Sequence, residues 1–294
     1  MSVTVRVPAT IANLGPGFDC LGLAIAWHNR ITLEAAGTTT VHVSGPGEDR
    51  IPRDASNLVL RSVRAWEAAV GADAGEWAIT ISNEAPYGRG FGSSAAAIVG
   101  GLVAARAILG GGASLLALAG EIEGHLDNVS AALLGGVTIS GYATADAFRL
   151  PPPDSIAVLA CVAPGRLSTS KARAALPAQI PFADAVFNAS RAALLAASIA
   201  TGDPTRLPAA TEDRLHQDRR FAIAEDAGAL ARALRADGIA AFLSGAGPSI
   251  AALVAAGDAP SAANAARTHA PDGWEIRIVP FDPSGAVVEK HPTR

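Results

Sequence analysis

The sequence predicts an α+β protein of two domains, and three observations predict it. At 294 residues the chain exceeds the usual size of one domain. Its first half reads as several strands, a helix, a strand and a helix, an order that belongs to α+β rather than to a regularly alternating parallel sheet. Pro151-Pro152-Pro153 is the best linker, which divides the chain into domains 1–152 and 153–294. The second half then reads strand, helices, strand, strand, helix, strand, the order of a split βαβ, ferredoxin-like domain.

Each element has a local reason. Val3–Val7 alternates apolar and polar residues as a half-buried strand does, and Pro8 is expected to end it. Strands follow over Asn29–Ala35 and Val41–Ser44. Asn57 caps a helix from Leu58 to Val70, and Gly71 stops it. Trp77–Ser82 is the strand that feeds a glycine-dense loop. Beyond that loop Ser93 or Ser94 is expected to cap a helix to Leu109, ended by Gly110–Gly112. Helices over Leu115–Gly124 and Val129–Leu134, the second capped by Asp127 or Asn128, lead into a strand at Val137–Ser140. After the linker come a strand at Ile156–Val162, a polar turn Ser168-Thr169-Ser170 capping Lys171–Leu176, and helices over Pro181–Ala200 and Glu225–Asp237. Strands Ile239–Ser244 and Ile250–Ala255, a helix over Ala262–His269 and a strand Trp274–Pro280 complete the series.

The loop Ala85-Pro-Tyr-Gly88-Arg-Gly90-Phe-Gly92-Ser93-Ser94 is the first candidate for chemistry. Gly88, Gly90 and Gly92 let the backbone adopt conformations closed to other residues and approach a ligand closely. The helix behind them aims unpaired amides and its positive dipole end into the loop, an anion site suited to triphosphate. It is not a Walker A loop, because no Gly-Lys-Ser/Thr is present and the only lysines are Lys171 and Lys290. Nor is it a dinucleotide fingerprint, since serines follow Gly90-Phe-Gly92.

Two more stretches carry unusual polar groups. In Pro8–Leu23, Asn13 and Asp19 flank Gly15-Pro16-Gly17 in an apolar setting, where each unpartnered group would cost about 1 to 3 kcal/mol. In Glu121–Ser130, Glu123, His125, Asp127 and Asn128 crowd together amid alanine and leucine, and capping explains one of that set at most.

Composition narrows the partners. Half the residues are hydrophobic, but no apolar run reaches transmembrane length and no cleavable leader opens the chain. A soluble, cytoplasmic protein is expected. Cys20 and Cys161 fit neither a disulfide framework nor a zinc site. A net charge of −4 without a basic block argues against nucleic acid and membrane surfaces, leaving a small molecule.

Three stretches in fixed order, Pro8–Leu23, Pro86–Ala97 and Leu243-Ser-Gly-Ala-Gly-Pro-Ser249, resemble the signature motifs of the GHMP kinases. Within that superfamily Val7-Pro-Ala-Thr-Ile-Ala-Asn-Leu-Gly-Pro-Gly-Phe-Asp19 is similar to the first motif of the homoserine kinase branch, as is Glu123-Gly-His-Leu-Asp-Asn-Val129 with Gly135-Gly136. The resemblance implies an N-terminal domain of the ribosomal-protein-S5-domain-2 type, a ferredoxin-like C-terminal domain and ATP-dependent phosphorylation of the L-homoserine hydroxyl. It implies that Asp19 and Asp127 hold the ammonium with His125 beside them, and that Asn13 with Asn128 orients the hydroxyl. Arg173 and Arg220 would grip the carboxylate, which the flat guanidinium fork suits. Either arginine alone would read as a solvated helix residue, and Arg219 leaves the register open by one. Gly247 would close the substrate side. Pro86, Gly88, Arg89, Gly90, Phe91, Gly92, Ser93 and Ser94 would surround the nucleotide phosphates, with Asn57 and Leu58 toward the purine. Mg²⁺, which takes oxygen ligands and keeps waters, would sit on Ser93 and Glu123, with Glu121 as the alternative carboxylate. A homodimer follows family habit. The chain departs from the pattern at Leu126 and Phe91, without losing a functional group.

Phosphoryl transfer passes through a loose transition state, so alignment and charge neutralisation supply most of the acceleration. A lysine-assisted aspartate is disfavoured, because no lysine precedes position 171. Asp127 and Asn13 are expected to position the hydroxyl. Two rivals stand beside this reading: the same fold acting on another small alcohol, and a non-catalytic nucleotide sensor.

Overall fold

Residues 1–289 are described by the computed structural model; residues 290–294, the end of the second predicted domain with Lys290, lie outside the described residues. β1 (Ser2–Ala12) and β2 (Leu21–Ala35) pair antiparallel along most of their length. β1 does not stop at Pro8 as predicted. Its register with β2 shifts between Pro8 and Ala9, and at such a bulge a strand tolerates proline's missing N–H. β2 also begins eight residues before the predicted Asn29, because Leu21–Ile25 is buried on both faces and shows no alternation to read.

β3 (Thr40–Ser44) lies parallel to β4 (Trp77–Asn83), which pairs with β2. Between them α1 (Leu58–Val70) starts where predicted: Asn57 Oδ1 accepts from the Val59 and Leu60 amides, and Gly71 ends the helix in the left-handed region. α2 (Ser93–Leu109) is apolar all round and accordingly buried. Gly100 and Gly101 explain how it fits, since a methyl group on the first would strike Ile31 and on the second the Val59 backbone. Two glycines within a helix are costly, roughly 1 kcal/mol each. Here they let α2 lie flush between the sheet and α1, over a core that includes Val5, Leu33, Trp66 and Ile98.

α3 (Leu115–Glu123) and α4 (Asp127–Leu134) turn a corner at Gly124, and β5 (Val137–Ser140) returns to β2. Neither Asp127 nor Asn128 is the cap of α4. The helix opens one residue after Leu126, and Asp127 already belongs to its first turn. An unpredicted, largely exposed strand, β6 (Ala147–Leu150), completes a hairpin with β5.

The second sheet contains β7 (Ile156–Val162), β8 (Ala240–Leu243), β9 (Ile250–Ala255) and β10 (Glu275–Val279). In space they run fourth, first, third, second, all antiparallel. α5 (Thr169–Ala174), α6 (Phe182–Thr201), α7 (Leu207–Ala210), α8 (Gln217–Phe221) and α9 (Glu225–Ala236) connect β7 to β8. The short α7 and α8 escape sequence reading. α10 (Ala259–His269) packs with α9 on one face of this sheet. The other face meets the first half of the chain: Ile11, Leu14, Leu23 and Ile25 share a core with Val158, Ala160, Phe242 and Leu253. β11 (Val287–Glu289), also unpredicted, crosses back to pair with β1, so the chain after β10 rejoins the first sheet in the order β11-β1-β2-β4-β3.

Candidate active site

The glycine loop lies between β4 and α2, and its conformation differs from expectation in a useful way. Gly92, at φ 64°, is the residue before the helix, and no side chain caps α2. Ser93 and Ser94 therefore sit in the first turn, with their hydroxyls free for other work and the leading amides left open. Ser93 Oγ accepts from the Gly88 amide at 3.2 Å and donates to the Pro86 carbonyl at 3.3 Å, closing the loop on itself. Ser94 Oγ donates to Glu123 Oε1 at 2.6 Å. Of the two serines, Ser94 is the one that meets Glu123.

Two glycines fix where the motifs converge. A methyl group on Gly92 would collide with the Thr10 hydroxyl, which itself donates to Asn128 Oδ1 at 2.7 Å. Gly92 thus pins the loop against β1 and α4 together. Gly90, at φ 92°, has no room for a side chain against the Ser244 carbonyl, and its own carbonyl accepts from Ser244 Oγ at 2.7 Å.

The turn after β1 is strained and fastened by its own polar groups. Asn13 and Asp19 hold φ of 70° and 54°, a region these two residue types tolerate better than most. Asn13 Oδ1 accepts from the Asp19 amide at 3.1 Å, and Asn13 Nδ2 donates to the Gly245 carbonyl at 3.0 Å. The first and third motifs are joined through one buried amide. Asp19 projects onward to Arg173, whose guanidinium donates to both carboxylate oxygens at 2.9 Å.

At the α3–α4 corner Asp127 is almost fully buried. Its Oδ1 accepts from the Asn128 amide at 2.7 Å and meets His125 Nδ1 at 2.5 Å. Burial opposes charge on His125, but the hydrogen bond to Asp127 and the charges of Asp127, Glu123 and Asp19 together hold its pKa above the ordinary histidine value. Glu123 moves up as well, chiefly through burial, against the pull of the Ser94 hydroxyl and His125. Ligand atoms of Asp19, His125 and Asp127 lie within 4.8 Å of one another, a concentration of negative charge suited to a cation.

One cavity of about 440 Å³ gathers these groups, a size in the range of small-ligand sites. Asn13, Asp19, Asn57, Gly88, Gly90, Gly92, Ser93, Ser94, Glu123, His125, Asp127, Asn128, Arg173, Arg220 and Gly247 all line it. Pro86, Arg89 and Phe91 do not. The Phe91 ring is turned into the core against Trp27, 5.9 Å between centroids, so a residue that looks like loop in the sequence is packing. Arg220 is buried and lines the cavity, while Arg219 is exposed and does not. Glu121 is exposed and Glu123 faces inward.

The family model described as the GHMP kinases N terminal domain matches residues 57–136, and that described as GHMP kinases C terminal matches residues 194–272. The chain is 44% identical to the homoserine kinase of Streptomyces avermitilis, aligned over 98% of this chain and 95% of that one. It is 42% identical to the homoserine kinase of Mycobacterium tuberculosis, over 84% and 82%. The chain belongs to the homoserine kinase family of GHMP kinases. The crystal structure of the homoserine kinase from Cytophaga hutchinsonii superposes with a TM-score of 0.87 at 27% identity, covering 98% of this chain and 97% of that one. Mevalonate diphosphate decarboxylase from Staphylococcus aureus shares the fold, with a TM-score of 0.74 at 17% identity over 98% of each chain.

As a GHMP kinase the chain is a phosphotransferase that uses ATP. Several walls of this kinase's cavity were absent from the sequence reading. Ile51, Pro52, Val59, Ile81 and Tyr87 make an apolar end beside Asn57 and Leu58, and Leu167, Ser168 and Thr169 form the edge nearest Arg173. Asn57 is spent as a helix cap, its Nδ2 donating to the Pro52 carbonyl at 2.6 Å. Tyr87 lies next to the loop glycines and was the one of these with a signal, an aromatic residue inside the glycine loop.

Proposed function

We propose that this kinase transfers the terminal phosphoryl group of ATP to the side-chain hydroxyl of L-homoserine, forming O-phospho-L-homoserine for threonine biosynthesis. The observation that carries the proposal is the pairing within one cavity of two acids, Asp19 and Asp127, with two arginines, Arg173 and Arg220, opposite the uncapped start of α2. An acceptor bearing both an ammonium and a carboxylate uses all four; an uncharged alcohol uses none.

In this reading the open amides of the loop and α2 receive the phosphates, and the apolar end between Tyr87 and Val59 takes the purine. Mg²⁺ fits the residues present, because a hydroxyl and a carboxylate already lie in contact at Ser94 and Glu123, both hard oxygen donors. We assign the site to that pair, in place of the expected Ser93, and the ion when bound would neutralise charge on the phosphate oxygens. Asp127 has one carboxylate oxygen committed to His125 and Asn128, leaving the other to hold the ammonium or hydroxyl. Asn13 keeps one amide hydrogen beyond its two bonds and orients the hydroxyl with Asn128. Alignment by these groups, with charge stabilisation by fixed dipoles, supplies the acceleration, and no strong base is required.

The proposal extends to domains 1–152 and 153–294, the first ribosomal-protein-S5-domain-2-like and the second ferredoxin-like, with β11 returning to the first. The strand order of the second sheet favours the latter description. A homodimer rests on family habit and a cytoplasmic location on composition; no helix among the described residues is long and apolar enough to cross a membrane.

A coupled ADP-release assay with L-homoserine, mevalonate and shikimate tests the acceptor. Homoserine is expected to be preferred by at least about 100-fold in kcat/KM, the scale on which losing charged partners is felt. Equal rates with mevalonate or shikimate, which carry a carboxylate but no ammonium, would refute it.

A further inference from the structure

Arg220 is a buried cation without a counter-ion. Only 2% of it is exposed, and no carboxylate among the described residues lies within ion-pair distance. Three neutral acceptors hold it instead: Nη1 donates to the Gly245 carbonyl at 3.1 Å and to His216 Nδ1 at 3.3 Å, and Nε donates to the Ala172 carbonyl at 3.4 Å. Its guanidinium carbon lies 5.2 Å from the centre of the Phe18 ring, which also stacks on His216. Nη2 has no bond to a described residue, yet no fully buried polar side-chain atom is left unsatisfied, so Nη2 reaches open space.

The partner that aims this arginine is built from behind. His216 Nε2 lies 2.8 Å from the Gly15 carbonyl, which only accepts, so Nε2 carries the proton and Nδ1 is left as an acceptor. Burial keeps the imidazole pKa below its ordinary value, and the charge of Arg220 acts in the same direction while Asp213 opposes it. Asp213 in turn fixes the backbone that carries the ring. Its Oδ2 accepts from the His216 and Gln217 amides at 2.9 and 2.8 Å, and its Oδ1 accepts from Asn188 Nδ2 at 2.7 Å and the Leu215 amide at 3.1 Å.

We infer that His216, seated by Asp213, is a positioning residue that points Arg220 at the acceptor's carboxylate and thereby sets selectivity for amino-acid alcohols. The inference rests on the homoserine reading above. A buried guanidinium that loses an acceptor swings toward another, and a carboxylate gripped at an angle loses most of a charge-assisted bond. The two ring nitrogens have separate tasks, Nδ1 toward Arg220 and Nε2 toward Gly15, and this makes them separable.

Asparagine places a polar atom where Nδ1 stands, and glutamine places one near Nε2. The experiment compares His216→Asn with His216→Gln, both checked for folding by thermal melting, and reads the KM of homoserine, the KM of ATP and the inhibition constant of 3-aminopropan-1-ol, which is homoserine without its carboxylate. His216→Asn should stay within about threefold of wild type for homoserine, and His216→Gln should raise its KM about 30-fold, the scale of one hydrogen bond to a charged group. Neither should move the ATP or 3-aminopropan-1-ol values. Equal effects of the two variants on homoserine, or equal losses for homoserine and 3-aminopropan-1-ol, would overturn the inference and leave His216 a packing residue. Should either variant fail to fold, Arg220→Lys against Arg220→Lys/His216→Leu decides: a further loss on removing His216 once the guanidinium is gone contradicts the inference. Failure of the wild-type enzyme to use homoserine at all is a distinct result, which refutes the acceptor reading and this inference with it.

Discussion

Asp19 and Arg173 hold each other across the cavity in a two-pronged ion pair, and both are groups that the acceptor would claim. In the proposed binding mode homoserine would exchange that internal pair for two external ones, and a hydroxy acid without an ammonium would break the pair and return only half. Asp19→Asn should therefore lower kcat/KM for homoserine by about 30-fold, and raise that for 4-hydroxybutyrate by about threefold, since an ion pair this exposed contributes little. Parallel loss for both acceptors in steady-state assays would contradict the exchange. Asp127→Asn keeps the shape but removes charge, and its turnover should fall about 100-fold with ATP KM unchanged; unchanged turnover would remove Asp127 from the chemistry. At Glu123 the sign of a pKa shift can be used. A carboxyl raised above its unfolded value binds a proton more tightly when folded, so its contribution to stability is greatest at low pH and is lost as pH rises through the folded value. Glu123→Gln should accordingly raise the melting temperature of the ligand-free protein at pH 8, while abolishing any further rise on adding magnesium with ATP. A lower melting temperature in the variant would contradict the reading of Glu123 as a carboxylate destabilised chiefly by burial. Asn13, Asp19 and Asp127 were legible in the sequence because polar residues in an apolar setting demand a reason. His216 was not, because the Gly15 carbonyl that fixes its tautomer stands 201 residues away and only the fold brings it there, and without that the neighbouring Asp213 and Arg220 read as ordinary polar residues.

At the level of elements, α2 is the centre of the argument. Its start was expected to be capped by Ser93 or Ser94, and the structure places Gly92 there instead, in a left-handed conformation that moves both serines inside the helix. Gly92→Ala is strained by φ and collides with Thr10. It should cost about 2 to 4 kcal/mol in urea unfolding and reduce kcat/KM for ATP by more than 100-fold; a variant with wild-type ATP kinetics would contradict the convergence of loop, β1 and α4 at this residue. Most long elements could be read, since α1 and α6 end at glycines and β7 and β9 are short apolar runs bounded by proline and glycine turns. The failures have physical causes. β2 was shortened where both faces are buried, β1 was cut at a proline that a bulge absorbs, and β6, β11, α7 and α8 are too short for a period to register.

The whole molecule is two sheets sharing one apolar interface, with the cavity at their junction and the chain's end stitched back to its beginning. Asp282 is the stitch. Its carboxylate accepts from the Ser284 and Gly285 amides at 2.8 Å and meets His28 Nε2 at 2.6 Å, and its carbonyl accepts from the Gly136 amide. Burial works against charge there, but those bonds hold the carboxyl below the usual aspartate range. A depressed acid stabilises the fold above its unfolded pKa, and that contribution is lost as pH falls through the folded value. Asp282→Asn should cost about 1 to 3 kcal/mol at pH 7 in urea unfolding, and the difference from wild type should vanish toward pH 2; a gap independent of pH would contradict this role. The central claim, that one cavity sets a phosphate-binding loop against a site for a charged amino alcohol, is tested most directly by phosphorus NMR of the product formed from ATP, magnesium and L-homoserine. A phosphomonoester coupled to the protons of the side-chain methylene carbon is predicted. Inorganic phosphate alone, or phosphate on the carboxylate, would contradict it.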